Sequence, residues 1–205
     1  MSVDTDTVDL VGDEAARNLA RAALFAALVG AGAYVSFPNP FAPAPVTLQV
    51  LAVFLTGIFL GAVWGGVSMA LYIVAGAAGA PVFAGGTAGV GVLLGNTAGY
   101  IWAFPVAVVT LGAIVHGGLE PADPGDIVKL EDNIVAGLLR FLRLLAGMLV
   151  ATAIVYAGGV LGGMATQGIG PVAAILNYAA PFVPAEAFKI AAALGIVYSD
   201  AIRAK

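Results

Sequence analysis

The chain has no cysteine and one histidine, His116, in 205 residues. Disulfide frameworks and thiolate metal sites are therefore excluded. No group of acids is spaced as a metal site or a proton relay. Charge is scarce as well. Asp, Glu, Lys and Arg make up 10% of the chain, against about 25% in an ordinary soluble domain. Residues 22–119 form a run of 98 positions with none of the four, and residues 144–185 add 42 more. A wetted surface cannot be built from such runs, so a soluble globular domain is excluded. A disordered chain is excluded too, since it needs low hydrophobicity and high charge. The net charge of −4 argues against a nucleic-acid partner. No G-x-x-x-x-G-K-[S/T] segment occurs, so this chain holds no nucleotide through a P-loop. If it takes part in ATP-driven transport, the ATPase is another chain.

What remains is 61% hydrophobic, with a mean hydropathy of +1.02. Such a composition takes lipid as its main solvent. Gly and Pro clusters divide the apolar sequence into spans over about residues 19–35, 46–63, 65–78, 97–115, 134–164 and 184–202. The fold class expected is an all-α integral membrane protein, six transmembrane helices in a single bundle with both termini cytoplasmic. Residues 1–18 form an acidic cytoplasmic tail, residues 19–205 the membrane domain, and residues 117–133 a cytoplasmic loop. The first apolar run is taken as a retained span, because no soluble mature sequence follows it.

Orientation comes from the basic residues. Six spans put Arg17, Arg21, Lys129, Arg140, Arg143, Arg203 and Lys205 on one face, seven of the eight Lys and Arg in the chain. The positive-inside rule makes that face cytoplasmic in the cell membrane. The eighth, Lys189, lies three residues from Glu186, on the same helix face near the outer end of the last span. Charge at membrane depth costs roughly 2.5–3.5 kcal/mol per residue and marks a paired group facing a cavity. Two readings stand side by side. The pair is a structural ion pair at a helix start, or it is a ligand site joining an acceptor to a cation.

Outer segments surround the pair with neutral polar and aromatic groups. They carry Pro45, Thr47 and Gln49; then Phe83, Thr87, Asn96, Thr97 and Tyr100; then Asn177, Tyr178 and Phe182. Small-ligand pockets are built of such groups. Glu186, Lys189, Phe83, Thr87, Asn96, Tyr100, Gln49 and Thr47 are the candidate ligand residues. No catalytic or metal-binding residue and no cofactor is expected. Gly57, Gly61 and Gly65, and Gly91, Gly95 and Gly99, are spaced as small-residue ladders. Ala23, Ala27 and Ala31 line one face of the first span, a candidate docking face for a partner protein.

These segments resemble a known family. Pro45-Val46-Thr47-Leu48-Gln49-Val50-Leu51 is similar to the P-V-T-L-Q-T-L signature of the BioY biotin-transporter family. Leu71-Tyr72, Gly76 and Gly79 to Gly86 resemble its LLY…GAxGLPVFAGG. Gly89 to Phe104 resembles a third motif of the family, and Pro184-Ala185-Glu186-Ala187-Phe188-Lys189 its P-G-D-x-x-K. The usual Asp is Glu186 here, the usual Gly before it is Ala185, and the usual Pro of G-P-T is Asn96. The resemblance implies the substrate-binding S component of an energy-coupling factor (ECF) transporter. Such a protein binds biotin from outside and works with a transmembrane coupling protein and two ATPase chains. It also implies that Glu186 meets the ureido N–H groups and Lys189 the carboxylate. An S component for another small vitamin, a membrane-embedded enzyme and a structural scaffold are the alternatives.

Overall fold

The computed structural model describes residues 12–119 and 134–203, apart from the side chains of Asp13 and residues 200–203. Residues 1–11 of the expected tail, residues 120–133 of the expected loop (with Lys129) and Lys205 lie outside the described residues. Among the described residues six α-helices carry the fold: α1 Gly12–Gly32, α2 Gln49–Ala77, α3 Ala98–His116, α4 Ile134–Gln167, α5 Pro171–Tyr178 and α6 Val183–Arg203. Between α1 and α2 two short antiparallel strands, β1 Ser36–Phe37 and β2 Val46–Thr47, close a Pro-rich strap, with Ser36 opposite Thr47 and Phe37 opposite Val46. Four segments among the described residues are long and apolar enough to cross a membrane: Gln49–Ala77, Ala98–His116, Ile134–Gln167 and Pro171–Ser199. Large apolar side chains such as Leu24, Val74, Val106, Leu161 and Phe188 face outward. That surface suits the hydrocarbon of a bilayer and not water. The chain is a multi-pass membrane protein.

Helix α2 is not one rod. Gly61 has φ 69° and ψ −169°, far from helical values. A straight helix would set Gln49 and Tyr72 about 34 Å apart, yet Gln49 Nε2 lies 2.8 Å from Tyr72 Oη. The chain therefore reverses at Gly61, and residues 49–60 and 62–77 run antiparallel. A side chain at Gly61 would resist this positive φ. The expected ladder of Gly57, Gly61 and Gly65 is thus not a helix face. Gly57 and Gly65 meet across the hairpin, where a Cβ on Gly65 would stand 3.8 Å from Gly57 Cα. Gly91 and Gly95 likewise leave the helical ladder expected with Gly99, because residues 90–94 form a 3-10 turn.

The hairpin tip packs on α3. A Cβ on Gly112 would collide with the backbone of Gly61 and Ala62. The His116 ring closes the same junction: its Nε2 is 2.9 Å from Ile58 O. Ile58 is among the last carbonyls of the first arm, which have no intrahelical partner. A carbonyl only accepts, so Nε2 carries the proton. Helices α3 and α4 cross closely where Gly99 meets Gly158 and Gly162. The core between these elements is apolar and holds Phe54, Ile58, Met69, Tyr72, Phe104, Val108, Leu111, Leu144 and Met148.

Further differences from the sequence expectation lie at the start of α1 and before α6. The expected boundary at residues 18 and 19 falls inside α1, which begins at Gly12. Arg17 and Arg21 are consequently helical. The segment between α4 and α6 is not irregular throughout. Pro171 starts α5, where its missing N–H costs nothing, and residues 180–182 add a 3-10 turn.

Gly112→Ala should destabilise the protein by about 1–3 kcal/mol through overpacking against backbone, read as a lower melting temperature in detergent. Gly137→Ala, with nothing within 4 Å of the added Cβ, should not lower it. Equal melting of the two variants would contradict the hairpin contact.

Candidate functional site

At the end of the bundle that holds the strap, the helices part around a cavity of about 600 Å³ counting its open mouth. Its walls come from the strap (Ala44, Pro45, Thr47), the start of α2 (Gln49, Val50), Ala84, and α3 with the residue before it (Thr97, Tyr100, Ile101, Phe104). Val155 and Tyr156 of α4, Phe182, and Glu186 and Lys189 of α6 complete them. The lining is mostly apolar with a few convergent polar groups, the usual make-up of a small-ligand site.

The charged pair lies deep in this wall. Glu186 is 3% exposed and Lys189 6%. Lys189 Nζ approaches Glu186 Oε2 at 3.1 Å, as residues three apart on one helix face can. Glu186 stands in the first turn of α6, where the helix dipole favours an anion. Tyr156 Oη donates to the same oxygen, Oε2, at 3.4 Å. The other oxygen, Oε1, is buried and has no hydrogen-bond partner in the protein. A buried acceptor left empty costs about 1–3 kcal/mol, more when charged, so this atom is suited to an incoming donor.

Across the cavity the polar groups are already committed. Gln49 Nε2 donates to Tyr72 Oη at 2.8 Å and to Val82 O at 3.4 Å. Its Oε1 accepts from Thr47 Oγ1 at 3.2 Å, and its backbone N–H donates to Thr47 Oγ1 at 3.4 Å. Both side chains are thereby held in place, with lone pairs rather than protons to spare. The aromatic wall is also fixed. Tyr100 Oη donates to Tyr178 O at 2.6 Å, and the Tyr100 ring stacks on Tyr178 at 6.3 Å and meets Phe182 edge-on at 6.0 Å. Glycines of α4 seat these rings: a Cβ at Gly159 would overlap Tyr100, and one at Gly163 would overlap Tyr178. The strap is tied over the mouth where Asn39 Nδ2 donates to Pro181 O at 3.3 Å.

Of the sequence candidates, Glu186, Lys189, Tyr100, Gln49 and Thr47 come together around the cavity. Phe83, Thr87 and Asn96 do not line it. Phe83 turns inward beneath Gly76 and meets Tyr72 edge-on at 5.5 Å. Thr87 is exposed and donates its hydroxyl to Ala84 O at 3.0 Å, inside its own turn. Asn96 is exposed beyond the 3-10 turn, and its neighbour Thr97 lines the wall instead. Asn177 faces a second, more open depression behind the strap. Tyr156 was missed by the sequence reading, although a phenol in the middle of a long apolar run was a legible signal. Ala23, Ala27 and Ala31 are exposed on α1, while Ala22, Ala26 and Val29 on the other face are buried.

Comparison with known proteins agrees with this architecture. The chain superposes on the crystal structure of the S-component for biotin from an ECF-type ABC transporter with a TM-score of 0.75, over 96% of this chain and 95% of that one. At 20% identity that likeness is one of fold. The biotin transporter BioY of Thermotoga maritima is 41% identical over 49% of this chain and 58% of its own length. The probable biotin transporter BioY of Pyrococcus horikoshii is 40% identical over 47% of this chain and 59% of its own. The chain thus spans somewhat under two thirds of these two relatives. The biotin transporter BioY of Rhizobium etli is 31% identical over 87% of this chain and 91% of its own length. The family model for the BioY family matches residues 4–204, and the chain belongs to that family.

Proposed function

We propose that the chain is a biotin-binding membrane subunit that takes up biotin as the S component of an ATP-driven ECF transporter. The observation that carries this reading is the buried, unpartnered Oε1 of Glu186 beside Lys189, in the wall of a mostly apolar cavity. The names of the relatives and of the similar structure support biotin as the ligand. In our reading the head group is read by both charges. Glu186 Oε1 accepts a ureido N–H, and Lys189 donates to the neighbouring ureido oxygen. The resemblance alone implies that Lys189 meets the carboxylate. Acceptor and cation stand side by side at 3.1 Å, however, whereas the ureido and carboxylate groups are at opposite ends of biotin. One compact pair suits one end. The aromatic wall of Tyr100 and Phe182 then covers the bicyclic ring, and the carboxylate extends toward the mouth.

The topology we propose has six crossings: α1, both arms of α2, α3, α4 and α6, with both termini, the acidic tail of residues 1–18 and the loop 117–133 cytoplasmic. The reversal at Gly61 supports counting α2 twice. The exposed small face of Ala23, Ala27 and Ala31 is where we place the transmembrane coupling protein, which joins this chain to two ATPase chains. Small faces let helix backbones approach closely.

Labelled biotin should bind the purified chain below micromolar concentration. Absence of binding in that range would sink the biotin reading. Changing Glu186→Gln and Lys189→Met together should leave the melting temperature within a few degrees, because exchanging a whole buried pair is about neutral for stability. The same variant should lose at least about 100-fold in affinity, each charged hydrogen bond being worth about 1.5–3 kcal/mol. Unchanged binding would make the pair structural only. Biotin carboxamide should bind within about tenfold of biotin; a loss comparable to that of a charged hydrogen bond would return Lys189 to the carboxylate. Ala27→Phe should keep biotin binding and abolish uptake in cells that supply the partner chains. Normal uptake by that variant would move the docking face elsewhere.

A further inference from the structure

Two donors converge on one oxygen of Glu186. Lys189 Nζ is 3.1 Å and Tyr156 Oη 3.4 Å from Oε2, while Oε1 has no partner. The two donors come from different helices, Lys189 from α6 and Tyr156 from α4. A carboxylate held by Lys189 alone could swing about its last side-chain bond, a broad torsion, and carry either oxygen to the cavity. A second donor approaching from α4 removes that freedom. Tyr156 is itself restrained. Its ring is half-buried, lines the cavity, and packs against Phe182 at 6.5 Å and 49°. At 3.4 Å its contact is the longer of the two, so its contribution is direction more than strength.

We propose that Tyr156 is a positioning residue that sets the ligand selectivity of this site. It turns Glu186 so that Oε1 stands ready as an acceptor for an N–H donor. This rests on the head-group reading given above. A preorganised buried acceptor rejects a ligand that lacks the matching N–H, because that ligand would leave the oxygen desolvated and unpaired. Without Tyr156 the carboxylate can turn back on Lys189 and tolerate such a ligand. The phenol thus adds to the affinity for a ligand that carries the N–H and not to that for a ligand that lacks it.

The test compares biotin with biotin methylated on a ureido nitrogen, using the full-length purified chain. The wild type should prefer biotin by about 10–100-fold, the cost of one unsatisfied buried acceptor. In Tyr156→Phe, which removes one oxygen and keeps the ring, biotin should weaken about 5–20-fold and the methylated ligand hardly at all. The preference should shrink accordingly. In a Glu186→Asp background, which withdraws the carboxylate by one methylene from a contact already at 3.4 Å, Tyr156→Phe should change neither ligand, since residues acting as a unit are not additive. Equal weakening of both ligands, no change in either, or the same effect in both backgrounds would overturn the proposal. A wild type that binds no biotin would instead overturn the head-group reading. Melting temperature serves as the control for folding. If Tyr156→Phe does not fold, Tyr156→Trp, which keeps an aromatic ring but moves its donor, is expected to show the same narrowed preference, and an undiminished preference would overturn the proposal.

Discussion

In a bilayer the chain must satisfy its own polar atoms, and most of the architecture follows from that constraint. Among the described residues the backbone does so by being mostly helical. Where it cannot, at the reversal of α2, the ring of His116 supplies a donor to the freed Ile58 carbonyl. Where the chain leaves the helices at the strap end, side chains bind the loop carbonyls. Tyr34 donates to Pro81 O, Tyr100 to Tyr178 O and Trp102 to Leu93 O. The irregular segments are thereby tied to the helices that frame them. Among the described residues three buried side-chain oxygens lack a partner, on Ser68, Thr152 and Glu186; only Glu186 carries charge and lines the cavity, and such exceptions collect at functional sites.

The strap end of the bundle divides into a fixed side and an available side. Thr47, Gln49, Tyr72 and Val82 use their hydrogen bonds on one another, which locks the strap to both arms of the hairpin. Glu186 and Lys189 leave capacity unused on the opposite wall. The aromatic rings between them are seated on glycines of α4. Packing rings onto bare backbone gives a rigid wall without adding polar atoms, and the cavity is preformed as small-molecule sites usually are.

Much of this was legible in the residues. Long charge-free runs established the membrane class, and the isolated Glu186 and Lys189 stood out because charge is so rare elsewhere. Thr47, Gln49 and Tyr100 were recognisable as polar groups near span ends. What composition could not supply was side-chain direction in non-helical backbone. Phe83, Thr87 and Asn96 share one Gly-rich segment, and two 3-10 turns send the first inward and the other two outward. No periodicity predicts that. Gly61 shows a second limit. A run of three glycines at helical spacing suggests a packing face, yet the middle one is a turn. Tyr156 was legible in principle, as a phenol deep in an apolar run, but only the position of α6 shows what its hydroxyl meets.

The reversal at Gly61 also leaves the hairpin without slack. A single residue joins two helices, and each residue of a helix advances the direction of its side chain by about 100°. Adding or removing one position in the turn would rotate the whole second arm about its axis. Tyr72 would then turn away from Gln49, Gly65 away from Gly57, and the strap would lose its anchor some 15 Å distant. The length of this turn is therefore a phase setting, and through it a residue at one end of the bundle fixes the alignment of the cavity at the other.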